Sequence, residues 1–215
     1  MVAQCVQIAS ISASSYTESV KKLLGIIVLG LFLIVPSQAD DIRDFQIEGM
    51  SIGDSLLDYM SKDEIKKAEQ NSTYMKDKKY IVIFSPIVSE IYDDIQITYQ
   101  PEDSNYLIHS IDGKIEFEDN IKGCKKKMKE IVKELKSLFK DAEIVQVKDE
   151  KHEYDKSGKS LVTSNYFYLK SGDFSNVWCT DWSNEMFDKH SWIDDLSVTI
   201  SSKEFKYFLI HEAYP

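Results

Sequence analysis

The sequence lacks every short motif by which common catalytic sites are found. It contains no HExxH metal-binding pattern, no P-loop, no GxGxxG and no GxSxG nucleophile elbow. It has no CxxC pair, which disfavours a thioredoxin-like redox role. Beyond residue 40, no stretch rich in proline, glycine or serine marks a linker. These absences favour one domain without a recognisable catalytic apparatus.

Histidine and carboxylate side chains are not grouped in the sequence. The 4 histidines are scattered, and none stands at metal-binding spacing from another. Neighbouring acids on an extended chain point apart, so Asp93-Asp94 and Asp194-Asp195 are not ready dyads. We interpret these acids as surface residues and predict no catalytic residue, no metal site and no cofactor. The same interpretation covers three acids that could hold calcium but lack the EF-hand pattern: Glu116, Glu118 and Asp119.

The one long apolar run, Leu23–Val35, follows two lysines and precedes a proline and the tripeptide Ser-Gln-Ala. This order is typical of a secretory signal peptide, cleaved here after Ala39. The run is shorter than the roughly 20 residues of a membrane-spanning helix, although a retained anchor is an alternative. We expect residues 1–39 to be an N-terminal extension plus signal peptide, with no stable membrane span after cleavage. Residues 40–215 are then one α+β domain that works in the periplasm or is secreted.

Acidic residues outnumber basic ones, and the formal net charge is −10. Such a surface opposes binding to nucleic acid, whose affinity comes from cations that meet phosphates. It equally opposes broad adhesion to anionic lipid. An unknown protein or another cell-envelope component is therefore the expected partner. The charge also serves solubility.

Two cysteines remain after the predicted cleavage, Cys124 and Cys179. Exported proteins with an even number of cysteines commonly form disulfides, so we predict a bond between these two. The bond would close a loop of about 55 residues and stabilise the fold by about 4 kcal/mol in the chain-entropy description. Two buried free thiols are the alternative.

Periodicity predicts an α+β fold in the order αα-βββ-α-ββββ-α, with an antiparallel sheet and helices on one face. Ser51 is a candidate N-cap for a first short helix, and Ser61 caps a second helix over residues 62–70. The longest helix, Asn120–Lys140, carries one apolar stripe. An imperfect duplication of helix and strands is an alternative description. Strands are expected at 80–84, 94–100, 105–117, 143–148, 160–170, 174–180 and around 196–200.

Three local patterns complete this prediction. Phe45 and Ile47 alternate with polar residues and predict an edge strand. Asp112-Gly113 interrupts a long strand pattern and indicates either a hairpin turn or a glycine bulge. A capping box that begins near Ser201 predicts a short terminal helix to about His211.

Two groups of residues are candidate partner contacts. Trp182, Phe187 and Trp192 lie in a predicted loop and could form a ligand platform or an interface centre. The alternative for the aromatic residues is core packing beside the disulfide, which we expect for Trp178. Lysines on the long helix could dock an anionic partner or form an ordinary solvated face. The lysine candidates are Lys125, Lys126, Lys129 and Lys133.

Residues 49–58, GMSIGDSLLD, are followed by a capped helix and three predicted strands. This segment resembles the helix-helix-strands unit of small outer-membrane assembly lipoproteins (BamE-like) and of β-lactamase-inhibitor-like repeats. The chain departs from that unit by lacking a lipid-attachment cysteine and by its long central helix. The resemblance implies contact with another protein and brings no catalytic residues. In composition the chain also resembles exported proteins of unknown role from AT-rich marine alphaproteobacteria.

These observations favour a non-catalytic exported binding or adaptor protein. Its first contact surface would be the aromatic loop and its second the lysine face. One alternative is a periplasmic enzyme without a recognisable motif, which needs a deep pocket with converging groups of perturbed pKa. Another alternative is a secreted inhibitor, which needs a concave sheet lined with aromatic side chains.

Residues 1–19 show no pattern, and we interpret them as a gene-start artefact with translation from Val20. We expect the exported protein to begin at Asp40, because cleavage follows the small residue Ala39. Mass spectrometry of the periplasmic fraction should find Asp40 as the first residue and, in whole cells, no peptide from Val2–Ser19. An uncleaved chain confined to the cytoplasm would contradict export.

Overall fold

The last strands of two antiparallel meanders pair with each other in the middle of the protein. The computed structural model describes residues 41–213, which belong to one compact unit. The predicted signal peptide lies outside these residues. The strands are β1 (Thr73–Tyr74), β2 (Ile81–Phe84), β3 (Asp94–Tyr99), β4 (Ile108–Glu118), β5 (Glu143–Lys151), β6 (Leu161–Tyr168), β7 (Phe174–Asp181) and β8 (Asp194–Ser201). They form one sheet in the order β1-β2-β3-β4-β8-β7-β6-β5.

The α-helices over the described residues are α1 (Lys62–Glu69), α2 (Ile121–Leu138), α3 (Asn184–His190) and α4 (Lys203–Phe208), and a π-helix follows α4 over Leu209–Ala213. Helix α1 packs on β2, and α2 packs on β7 and β8. Each half of the chain thus contributes a helix followed by a four-stranded meander, with α3 inserted before β8. The predicted α+β class is confirmed. None of the helices in residues 41–213 is both long enough and apolar enough to cross a membrane.

The strands place apolar and polar side chains on opposite sides of the sheet. At the centre, Ile111 of β4 pairs with Ile200 of β8, and Ile115 pairs with Leu196. All four are buried beneath the helices and the segment that precedes α1. The residues between them, such as Asp112 of β4, point the other way because strand side chains alternate. We call the side under α1 and α2 the helix face and the other side the polar face.

A disulfide joins the long helix to the sheet. Cys124 on α2 is bonded to Cys179 on β7, with the two Cα atoms 6.0 Å apart. Both residues are fully buried. The predicted pairing is confirmed, and the bond holds the N-terminal half of α2 against the helix face.

The segment before α1 differs from the prediction. It contains two 3-10 turns, Ile42–Asp44 and Leu56–Asp58, and Ser55 caps the second in place of a helix capped by Ser51. The reason is a tertiary backbone contact: the N–H of Gly53 donates to Ile108 at the start of β4. Residues held in this extended pairing cannot make helical hydrogen bonds. Phe45 and Ile47 are buried in the core but form no edge strand, since Ile47 pairs only with Met50.

Two further expectations were wrong: the turn or bulge at Asp112-Gly113 and the core position of Trp178. A neighbouring ring explains the first, and a neighbouring cysteine explains the second. Asp112-Gly113 forms neither a turn nor a bulge but lies inside continuous β4. A side chain on Gly113 would come within 2.5 Å of the Tyr92 ring, so glycine is required for close packing. Trp178 is not core beside the disulfide: Cys179 faces α2, so Trp178 lies on the polar face and is only partly buried.

The free energy of unfolding should depend on whether the disulfide is oxidised or reduced. Its removal in a Cys124→Ala/Cys179→Ala variant should lower the free energy of unfolding by about 4 kcal/mol, because the unfolded chain gains loop entropy. Urea unfolding with and without reductant measures this effect. Wild type should lose the same stability on reduction, whereas the double variant should not respond. Two titratable thiols in the folded, oxidised protein would contradict the bond.

Candidate functional site

A cavity lies on the helix face between α2 and the edge strand β5. Its volume is about 730 Å³, and we call it the lysine groove. Met128, Val132 and Ile144 give its floor an apolar part, and Gln146, Thr163 and Asn165 give it polar groups. The lysines that line it are Lys125, Lys129, Lys133, Lys136 and Lys148.

The helix and the edge strand run in opposite directions along this groove. At one end, Nζ of Lys125 lies 2.7 Å from Oδ1 of Asp149. At the other end, the ring of Phe139, just beyond α2, lies 6.4 Å from that of Phe167, which pairs with Ile144. The groove lysines of α2 recur at intervals of three or four residues, so they lie along one stripe of the helix.

Not all of the lysines predicted as partner contacts line the groove. Lys125, Lys129 and Lys133 line the groove, whereas Lys126 is exposed outside it. Asp149 is the one carboxylate in the lining, and the hydrogen bond from Lys125 holds the pKa of Asp149 below its usual value. Lys148 also lines the groove. It lies on β5, so the periodicity of the helix could not predict it.

The aromatic candidates gather at the end of the sheet where β7 leads into β8. The predicted loop contains helix α3, and the cavity beside it has a volume of about 430 Å³. The ring centroids of Trp182 and Trp192 are 4.6 Å apart. Phe187 is 53% exposed. This aromatic end cavity is lined by Glu118, Asp119, Trp182, Asn184, Phe187, Trp192, Ile193 and Asp194.

A buried carboxylate fixes the start of α3. Asp155, in the loop after β5, accepts hydrogen bonds from the backbone and side chain of Ser160. It also accepts one from the hydroxyl of Ser183, the N-cap of α3. Hydrogen bonds from Ser157, Ser160 and Ser183 hold the pKa of Asp155 well below its ordinary value. The aromatic end cavity therefore has a rigid wall.

Asp194 and Asp195 are not the surface acids expected from the sequence. Both are at least nine-tenths buried, and they point apart as adjacent strand residues do. Asp195 accepts a hydrogen bond from Nε1 of Trp182 and lies 3.6 Å from Nζ of Lys114. Asp194 accepts one from the backbone N–H of Trp182, and its Oδ2 has no hydrogen-bond partner within residues 41–213. Burial raises the pKa of both carboxyl groups.

Asp112 is a perturbed acid that the sequence prediction missed. It lies on the polar face of β4, and its Oδ1 accepts a hydrogen bond of 2.6 Å from Thr199. Burial raises the pKa of Asp112 to about 6, against the opposing effect of Thr199. The signal for this residue in the sequence was its polar position within an alternating strand pattern. The Asp-Gly pair instead indicated a hairpin turn or a glycine bulge. Asp112 lines neither cavity described above.

His109 and His152 contact aromatic rings, and His152 also lies near enough to Asp195 that each affects the pKa of the other. His109 contacts the ring of Tyr80, and His152 lies 4.4 Å from the ring of Trp182. Burial lowers the pKa of both. Within residues 41–213, no group of three or more His, Cys, Asp and Glu side chains is arranged to hold a metal ion.

Comparisons with protein-family models, with curated proteins and with solved structures found no match to this chain. Function must therefore be argued from geometry. The lysine groove is suited to an anionic ligand, and the aromatic end cavity presents carboxylates beside rings.

Asp112 should make stability depend on pH. Its folded pKa of about 6 exceeds the ordinary value of about 4, so its contribution is present below about pH 4 and is lost as pH rises through about 6. Urea unfolding should show wild type losing up to about 3 kcal/mol relative to Asp112→Asn between these limits. The exposed Asp94→Asn on β3 is the control and should not change this dependence. Parallel curves for wild type and Asp112→Asn would refute the assignment.

Proposed function

We propose that this protein is a non-catalytic binding or adaptor protein that works outside the cytoplasm. It takes an extended, acidic segment of a partner protein in the lysine groove. The observation that carries this proposal is charge: five lysines line the groove against one carboxylate. A chain with net charge −10 therefore carries a local cationic surface. Such a surface attracts an anionic partner and repels cationic ones.

The protein's own acids leave the charge of this groove largely uncompensated. Glu130 and Glu134 belong to α2, but neither lines the groove. Asp149 does line it, but it already binds Lys125 and Thr163. The other four groove lysines make no ion pair within residues 41–213. A partner carboxylate would supply that pair.

The dimensions of the groove fit an extended segment. Between Lys125 and Lys136, α2 advances about 16 Å, and between Ile144 and Asp149, β5 advances about 17 Å. An extended chain of about five residues covers this length. Alternate side chains of the extended segment lie about 7 Å apart on one face. This spacing is close to the rise of roughly 6 Å along the helix axis between lysines that are four residues apart.

The backbone of the acidic segment would form hydrogen bonds with the outer edge of β5. β5 is the last strand of the sheet, and eight of its nine residues are exposed. Its outer edge has no strand partner within the described residues. Edges of this kind accept an added strand from another protein. We therefore propose that the acidic segment pairs with β5 while its side chains meet the lysines of α2.

The proposed location outside the cytoplasm rests on the signal-peptide pattern. The Cys124–Cys179 disulfide is consistent with an oxidising compartment such as the periplasm or the exterior.

A second candidate function is inhibition of another protein through the polar face. Four aromatic side chains lie there, partly exposed among small polar residues. Aromatic residues are enriched in protein interfaces, and the β-lactamase-inhibitor-like resemblance implies protein contact through the sheet or the helices. The four residues are Tyr166, Tyr168, Phe174 and Trp178.

The groove proposal is tested with short labelled peptides that carry glutamate at alternate positions. We expect these peptides to bind, and the same peptides with glutamine to bind at least about tenfold more weakly in fluorescence anisotropy. Lys129→Glu/Lys133→Glu should reverse this preference by repelling glutamate. The control is Lys67→Glu/Lys126→Glu, which changes net charge equally outside the groove.

Amide hydrogen exchange distinguishes strand addition from loose charge attraction. Bound glutamate peptide should slow exchange of amides in β5 and leave that of the opposite edge, β1, unchanged. Equal loss of binding in the groove and control variants would refute the groove. Binding to phosphatidylglycerol vesicles without binding to any peptide would refute a protein partner.

A further inference from the structure

The aromatic end cavity has a charge opposite to that of the lysine groove. Three of its lining residues are acids, Glu118, Asp119 and Asp194, and no lysine or arginine lines it. Three other lining residues are aromatic. Carboxylates beside the faces of aromatic rings are the combination that recognises organic cations, through ion pairing and cation–π attraction.

Asp194, which lines this cavity, has a buried carboxylate oxygen without a hydrogen-bond partner among residues 41–213. Asp194 is 4% exposed, and its Oδ1 accepts the backbone N–H of Trp182 at 3.0 Å. Its Oδ2 is buried and has no hydrogen-bond partner in the described part of the chain. Buried acceptors of this kind are nearly always paired, because leaving one unpaired is costly. A cationic N–H donor in the cavity would satisfy it.

The rings are held in place before any ligand arrives. Nε1 of Trp182 donates to Asp195, and its ring lies 4.6 Å from that of Trp192. Trp192 also stacks with His190 at 4.6 Å. Phe187 projects from α3 with 53% exposure. A ligand cation would therefore meet a preorganised wall and one exposed ring.

We propose that the aromatic end cavity binds an organic cation, an ammonium or guanidinium group, between Asp194 and the rings of Trp182, Trp192 and Phe187. This site is separate from the lysine groove and does not rest on the proposed function. Metal binding does not account for it, since no metal-competent group of three or more His, Cys, Asp and Glu occurs within residues 41–213. The cation has two sources with the same chemistry: a free amine, or a lysine or arginine side chain of a partner protein.

Tryptophan indole signals provide a direct measurement, because the chain has 3 tryptophans and only two line the cavity. Nitrogen-15-labelled protein is titrated with agmatine, with methylammonium and with neutral tert-butanol. The indole resonances of Trp182 and Trp192 should shift with both cations, while that of Trp178 on the polar face should not. Tert-butanol should shift none. Equal response to tert-butanol would show an apolar pocket and overturn the proposal, as would no response to either cation.

Two variants identify the residues responsible. Asp194→Asn keeps the shape of the side chain and should weaken agmatine binding at least about tenfold. Phe187→Ala, at an exposed position, should weaken it by about threefold or more. The matched control is Asp188→Asn, an exposed acid on α3 that does not line the cavity. Loss of binding in the control equal to that in Asp194→Asn would overturn the site by indicating general charge attraction.

Peptides distinguish the two sources of the cation. Binding of agmatine as tightly as of an arginine-containing peptide supports a small free ligand. Binding of the peptide at least about tenfold more tightly supports a partner side chain. Both outcomes require the Trp182 and Trp192 shifts, and their absence in every titration overturns the site. Lys129→Glu/Lys133→Glu should leave agmatine binding unchanged.

Discussion

The pairing of β4 with β8 is the constraint on which the rest of the protein depends. Ile111 opposite Ile200 and Ile115 opposite Leu196 direct the apolar side of both meanders toward the helices. A shift of one residue would turn this whole set to the polar face and turn Asp112 and its polar neighbours toward the helices instead. The register therefore selects the helix face, on which α2 and the groove are built, and the polar face with its aromatic side chains.

Charge is distributed unevenly over this framework. The chain is acidic as a whole, yet one of its cavities is lined by lysines and another by carboxylates. Four of the lysines share one stripe of α2 and the fifth lies on β5, whereas the carboxylates come from the end of β4 and the start of β8. The protein therefore has two cavities whose lining charges are opposite in sign.

Sequence patterns predicted elements where local signals agree with the fold. The apolar stripe of α2, the Ser61 capping box and the pair Cys124–Cys179 are all found as expected. Predictions failed where a distant contact overrode the local signal. Gly53 pairs with Ile108 and cannot enter a helix, and Gly113 accommodates the Tyr92 ring instead of a turn. Neither partner can be identified from spacing, because it lies far away in the chain or on another element.

By itself, the sequence determined the secondary-structure class, the amphipathic long helix with its lysines, and the aromatic residues near the end of the chain. Those properties depend on residue periodicity and composition, which need no tertiary contact. Only the tertiary structure decided that Lys148 of β5 joins three of the predicted lysines, and that Asp194 is buried beside Trp182 and Trp192. The physical reason is that a cavity consists of surfaces from separate elements, and strand pairing brings those elements together.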